Sequence, residues 1–205
     1  MKKAAFTLAE VLVTLGIIGV IAALTMPSLV MHHKKRVVET RLAKFYSNIN
    51  QAITMSEVEN GDKKDWLRME ILDDNGESVN DDTQAITSEE WFNKYLAKYI
   101  NVIKTEKSET AENKYDLYFS DGSMVTFSGS SWIFYPEAKD YKLSKNNDTG
   151  FNDRNRKDNG KSNFTFKFLT YNNKMPYYYN KGVEPFTDGY HGDINTLKNN
   201  SALGC

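Results

Sequence analysis

Cysteine is almost absent from the sequence, which excludes several classes of site. The 205 residues contain one cysteine, Cys205. An intramolecular disulfide, a four-cysteine zinc site and a Cys-x-x-Cys redox motif are therefore impossible within the chain. Three histidines, His32, His33 and His191, leave little material for a histidine-based metal site. The sequence thus predicts a fold without a structural disulfide or zinc centre.

Familiar catalytic and nucleotide-binding motifs are missing as well. There is no Gly-x-Ser-x-Gly, no His-Glu-x-x-His, no phosphate-binding loop and no dinucleotide glycine fingerprint. Lys and Arg number 26 against 27 Asp and Glu, so the net charge of −1 gives no electrostatic basis for gripping a polyanion. We therefore expect a protein that is not an enzyme, has no cofactor and binds no nucleic acid.

Charge is also missing from one stretch near the N-terminus. Between Phe6 and Met31 the one charged residue is Glu10, whereas lysines precede the stretch and the basic cluster 32–36 follows it. About 20 apolar residues, rising about 1.5 Å each, span the roughly 30 Å hydrocarbon core of a bilayer. A cleaved secretory signal is the simpler alternative, but its apolar part usually has about 7–15 residues and ends at an Ala-x-Ala-like site. The run therefore favours a retained transmembrane helix.

The start of this run has a distinctive motif, Met-Lys-Lys-Ala-Ala5-Phe6-Thr-Leu-Ala-Glu10. A short basic leader, a small residue and Phe-Thr-Leu-x-Glu before an apolar helix closely resemble the N-terminal signal of type IV pilins and type II secretion pseudopilins. The resemblance implies that prepilin peptidase cleaves between Ala5 and Phe6 and methylates the new amino terminus of Phe6. It also implies a single-pass protein of the bacterial inner membrane, with its head in the periplasm or outside the cell.

The resemblance further implies roles for two residues of the apolar helix. In the filaments of that family, the carboxylate at the position of Glu10 is thought to neutralise the amino terminus of a neighbouring subunit, here Phe6. A buried charge requires an opposite charge nearby, which agrees with this pairing. Pro27 matches a proline that many pilins have late in this segment, where the helix kinks. The implied partners are prepilin peptidase, other pilin or pseudopilin subunits and the inner membrane.

A helical pattern continues beyond Met31. Apolar residues recur at three- and four-residue intervals, at Val38, Leu42, Phe45, Ile49 and Ile53, and Asn60-Gly61 is a helix stop signal. We predict one helix from about Phe6 to Glu59. The predicted organisation is a leader (1–5), a transmembrane or filament-core helix (6–31), an amphipathic continuation of it (32–60) and a globular α+β head (61–205).

The head pattern begins with helices and continues with strands. Trp66 to Leu72 is predicted as one or two helical turns, and Thr87-x-x-Glu90 is a capping box that starts a second helix. The predicted strands are 115–119 and 124–127, which flank an Asp121-Gly122 turn, then 132–135, 164–171 and 177–179. Helix first and antiparallel strands afterwards indicate an α+β fold, pilin-like, with a long N-terminal helix packed on a sheet.

One segment near the C-terminus resembles a metal site. Asp188, Asp193 and Asn195 lie in a stretch similar to the Asp-x-Asn-Gly loop with which some pseudopilins bind calcium, although Thr196 replaces the glycine. A solvated loop without metal is the alternative interpretation.

Two functions remain open from the sequence. The first is a non-enzymatic structural subunit of a type II secretion pseudopilus or a type IV pilus-like filament. The second is a signal-anchored membrane protein with an extracytoplasmic ligand-binding head. The state of the N-terminus distinguishes them, because only the first is cut at Ala5.

Overall fold

The long N-terminal helix is present. The computed structural model of the chain describes residues 7–70, 85–107, 114–141, 162–170, 177–187 and 190–191. Helix α1 covers Leu8–Asn60, 53 residues, and ends at Gly61, whose φ of 78° is the left-handed conformation that glycine adopts without strain. The chain divides into two units, Met1–Val38 and Glu39–Cys205, so that α1 contributes to both.

In the second unit the predicted apolar stripe of α1 is buried. Leu42, Phe45, Ile49 and Ile53 are all buried. The ring of Phe45 stacks on Phe134 at a centroid distance of 4.6 Å and meets the edge of Phe166 at 5.3 Å. The three- and four-residue spacing thus places one face of α1 on the aromatic sheet.

The sheet is antiparallel, and its strands neighbour one another in chain order. Six strands form it and a two-residue seventh pairs at one edge: β1 (Lys104–Lys107), β2 (Tyr115–Tyr118), β3 (Met124–Ser128), β4 (Ser131–Tyr135), β5 (Phe164–Phe168), β6 (Val183–Thr187) and β7 (Tyr190–His191). The predicted α+β class, with one long N-terminal helix and an antiparallel sheet, is confirmed.

Local sequence patterns predicted the start of helix α2 and the β2–β3 turn correctly. Helix α2 (Ser88–Tyr95) begins with the predicted capping box, in which the Thr87 hydroxyl accepts from the Glu90 N–H and the Glu90 carboxylate accepts from the Thr87 N–H. The β2–β3 hairpin turns at Gly122, with φ of 81°, and the Asp121 carboxylate accepts from the Ser123 N–H at 3.1 Å. Both features depend on contacts between residues two or three apart.

The helical turns predicted at Trp66 to Leu72 are wrong where that segment is described. A short 3₁₀ helix covers Lys63–Asp65 instead, and Met69 forms a β-bridge with Ile86. The reason is tertiary. The Trp66 ring stacks on Tyr95 at 4.4 Å and its indole N–H donates to the Gly61 carbonyl at 2.9 Å. These contacts stabilise extended backbone after Trp66.

The strand predicted at 177–179 is also wrong. Tyr177 and Tyr178 lie in a turn, and Tyr179 makes a single bridge to Leu169.

Strand β6 was not predicted, because Pro185 lies within it. The Pro185 carbonyl accepts from the Tyr178 hydroxyl at 3.3 Å, and a residue in a strand directs its N–H and C=O to the same side. The N–H that proline lacks would therefore point to the same side as this carbonyl, towards Tyr178, where it is not needed for a hydrogen bond to β5.

Candidate functional site

Residues 8–31 of the first unit form an apolar helical segment that is exposed on every side. Large apolar side chains between residues 8 and 31 are 42% to 79% exposed. The most apolar 18-residue window of α1 has a mean hydropathy of 2.3, and none of it is buried. A helix that packs on a soluble core has an apolar stripe and a polar face, and this segment has no polar face. By length and composition α1 can cross a membrane.

Glu10 lies at the N-terminus of this helix, in a second capping box. The Thr7 N–H and hydroxyl donate to Glu10 Oε2 at 2.9 Å and 2.8 Å, and the Glu10 N–H donates to the Thr7 hydroxyl at 3.3 Å. Thr7 is thus the N-cap and Glu10 the third helical residue. The signal was present in the sequence, since Thr7-x-x-Glu10 has the same spacing as Thr87-x-x-Glu90, but we did not predict this cap.

The cap gives Glu10 a contact within its own chain. A carboxylate at a helix N-terminus is stabilised by the unpaired N–H groups and the helix dipole. Both donors from Thr7 reach Oε2, so the cap does not use Oε1. Ala5 and Phe6 lie outside the described residues. The pairing of Glu10 with the amino terminus of Phe6 therefore stays a prediction.

Helix α1 continues through Pro27. Proline has no N–H, so the carbonyl of Ala23 lacks its helical donor at this position. The kink predicted at Pro27 stays a prediction. Gly16 and Gly19 leave open space beside the helix, since a Cβ built at either would meet nothing within 4 Å. Another helix could therefore approach the backbone closely there.

The predicted calcium ligands Asp188, Asp193 and Asn195 lie outside the described residues, as does Cys205. Calcium binding stays a prediction. Within the described part of the chain, no three His, Cys, Asp or Glu side chains are grouped so as to hold a metal ion.

Asp116 on β2 is a buried acid of the described head whose pKa is raised by burial. Its side chain is 3% exposed, and the Tyr141 hydroxyl donates to Oδ1 at 3.4 Å. Burial raises the pKa of Asp116, and the nearby Thr126 and Tyr141 hydroxyls offset part of that rise. Glu106, its cross-strand neighbour, adds to it by repulsion. Sequence reasoning missed this group, because an acid in a short strand is usually exposed.

We expect Asp116 to lower the stability of the head as pH rises. The folded state binds its proton more tightly than the unfolded chain does, so free energy of unfolding decreases between the ordinary pKa of 3.8 and the raised folded value. Urea unfolding of wild type and Asp116→Asn across this pH range measures the difference. Wild type should lose stability relative to the variant and then level off. Asp65→Asn, at an exposed site, is the control for removing one charge. A relative gain by wild type would contradict the assignment.

The chain belongs to a family of unknown function (DUF6613), which matches residues 28–205. The match covers the whole second unit and leaves the Phe6-to-Glu10 motif outside it. No curated protein and no solved structure matches the chain.

Proposed function

We propose that this protein is a non-enzymatic structural subunit of a type II secretion pseudopilus or a type IV pilus-like filament. Prepilin peptidase processes its precursor at the bacterial inner membrane. The mature chain begins at Phe6, and other pilin or pseudopilin subunits pack around its apolar helix. The second unit is then carried in the periplasm or outside the cell.

The observation that carries this proposal is a single acid at the head of the apolar stretch of α1, residues 8–31. A charged side chain in a bilayer costs about 2.5–3.5 kcal/mol near the centre on insertion scales, and such residues are functional by default. Glu10 is the one charged residue between Phe6 and Met31. It lies four residues after Phe6, which cleavage would turn into the free amino terminus. An acid and an amine at neighbouring helix ends neutralise each other when subunits pack.

The apolar surface supports the same function. In the membrane its exposed side chains contact lipid, and in a filament they contact the helices of other subunits. Both surroundings are apolar, so moving between them retains the burial of the helix. Gly16 and Gly19 allow close helix approach. Pro27 weakens the helix where it would bend on packing.

A signal-anchored protein with a ligand-binding head is the second candidate. A cleft in the second unit, described below, favours it. The two candidates differ at the N-terminus, because a signal anchor is retained uncut.

Co-expression with a prepilin peptidase should remove residues 1–5 and leave N-methylated Phe6. Intact-mass and N-terminal analysis of the membrane-extracted chain measures both changes. An inactive peptidase is the control for cleavage, and Ala5→Gly tests whether the small residue limits the rate. An uncut chain would support the signal anchor. A mature N-terminus beyond about residue 23 would show an ordinary secretory signal, and either result would overturn the proposal.

A further inference from the structure

The second unit contains a cleft of about 400 Å³. One wall is α1 from Arg41 to Met55, the second is the segment 99–101 after α2, and the third is the turn between β2 and β3. This volume is within the range of about 300–1,000 Å³ typical of small-molecule sites.

The floor of the cleft is apolar. Phe45, Ile49, Ala52 and Ile100 line it and are buried, and the half-exposed Met55 stands beside them. Such a floor favours a ligand with an apolar body, since contact removes its surface from water.

The charged groups in the cleft differ in whether they are neutralised. Lys44 forms an ion pair with Asp121 at 3.0 Å. Arg41 instead donates from Nη1 to the backbone carbonyl of Pro136 at 2.7 Å. No carboxylate in the described part of the chain forms an ion pair with Arg41. Among the described residues, the charge of Arg41 in the cleft is therefore not compensated by an ion pair.

The Pro136 carbonyl also holds the guanidinium in place. Arg41 is half-buried, and its Nη2 lies 3.8 Å from the position of a Cβ at Gly122. A guanidinium has five N–H donors in a planar fork that matches a carboxylate, and the bond to Pro136 uses one of them. A fixed, partly desolvated guanidinium binds an anion without first losing side-chain freedom.

We propose that this cleft binds an organic carboxylate with an apolar body, with Arg41 as the anion contact. One positive charge matches one carboxylate, whereas a phosphate dianion would stay half neutralised. The same chemistry occurs in a free organic acid and at the carboxyl terminus of a peptide that ends in an apolar residue. This site goes beyond the filament function and does not depend on it.

Fluorine NMR on the full chain in phosphatidylcholine nanodiscs tests the proposal. The probes are para-fluorophenylacetate and its neutral amide, and empty nanodiscs correct for partition into lipid. Line broadening by the protein should show the acid binding about tenfold more tightly than the amide, the usual gain from a charge-assisted bond. Equal affinities of the acid and its amide would overturn the proposal, as would a failure of both this acid and a peptide with a free carboxyl terminus to bind.

Arg41→Gln removes the positive charge and replaces the guanidinium with a shorter, neutral polar side chain. Affinity for the acid should fall about tenfold, to that of the amide. Lys64→Gln, an equal charge change at an exposed residue outside the cleft, should leave it unchanged. Near-UV circular dichroism checks that each variant is folded. If Arg41→Gln is not, the acid–amide comparison on wild type decides the question alone. Unchanged acid affinity in folded Arg41→Gln would overturn the proposal.

A second probe pair distinguishes the source of the carboxylate. A fluorinated acetyl-Gly-Gly-Phe peptide with a free carboxyl terminus is compared with its amidated form. Tighter binding of the free peptide than of the small acid would assign the site to a protein terminus. Tighter binding of the small acid would assign it to a metabolite. Either result supports the carboxylate site.

Discussion

Glu10→Ala is expected to abolish incorporation into filaments while leaving membrane abundance and leader cleavage intact. In the assembled state the amine of Phe6 would lose its buried partner, which costs about 3–5 kcal/mol, or roughly a hundred- to several thousand-fold in association. In the membrane-resident monomer the same change should ease insertion, by up to about 3 kcal/mol. Recovery in sheared fibres or as crosslinked subunit pairs measures assembly.

The capping box requires two further variants, because Glu10→Ala also removes the carboxylate half of the box. Glu10→Gln keeps the cap, since glutamine serves in the same box, and removes the charge. Thr7→Val keeps the charge and removes the hydroxyl of the cap. If charge pairing drives assembly, Glu10→Gln fails to assemble and Thr7→Val assembles. The reverse result would show that Glu10 acts in assembly through the helix cap and not through its charge.

Trp91→Ala is expected to lower the free energy of unfolding of the head by about 3–5 kcal/mol. Trp91 is 1% exposed, and its indole N–H donates to the Leu67 carbonyl at 3.1 Å. Its ring lies 5.4–6.4 Å from the rings of Trp66, Tyr95, Phe127, Trp132 and Phe168. Truncation therefore opens a cavity where α2, the segment after α1 and the sheet meet.

Urea unfolding of the full chain, followed by near-UV circular dichroism, measures this loss. All three tryptophans, Trp66, Trp91 and Trp132, lie in the second unit, so the signal reports on the head. Val58→Ala is the control, because Val58 is 84% exposed and its truncation should change stability by less than about 0.5 kcal/mol. A loss at Trp91 as small as that of Val58→Ala would show that the cluster tolerates the cavity.

Features that depend on neighbouring residues could be predicted from the sequence. The stripe from Leu42 to Ile53, the cap at Thr87 and the turn at Gly122 each follow from spacing or from a backbone conformation that one residue type favours. The cap at Thr7 belongs to the same class. Thr7 and Glu10 have the same three-residue spacing as Thr87 and Glu90, so the same local pattern encodes both caps.

Features that depend on distant residues were decided by the tertiary structure. Strand β1 has little apolar character and exists through pairing with β2. Strand β6 tolerates Pro185 because the Pro185 carbonyl points towards the Tyr178 hydroxyl. The Asn50 side chain also binds this strand, accepting from the Val183 N–H at 2.9 Å and donating to the Val183 C=O at 3.0 Å. Residues 50 and 183 are 133 positions apart, so no local pattern encodes this contact.

The candidate sites divide in the same way. The sequence alone determined an apolar helix with one acid at its head, because charge and hydropathy are properties of a continuous segment. Only the tertiary structure showed the cleft, since Arg41, Ile100 and Asp121 come from three separate segments. It also showed that, among the described residues, Lys44 has an ion-pair partner and Arg41 has none, because the partner of a charged side chain is set by the packing of distant elements.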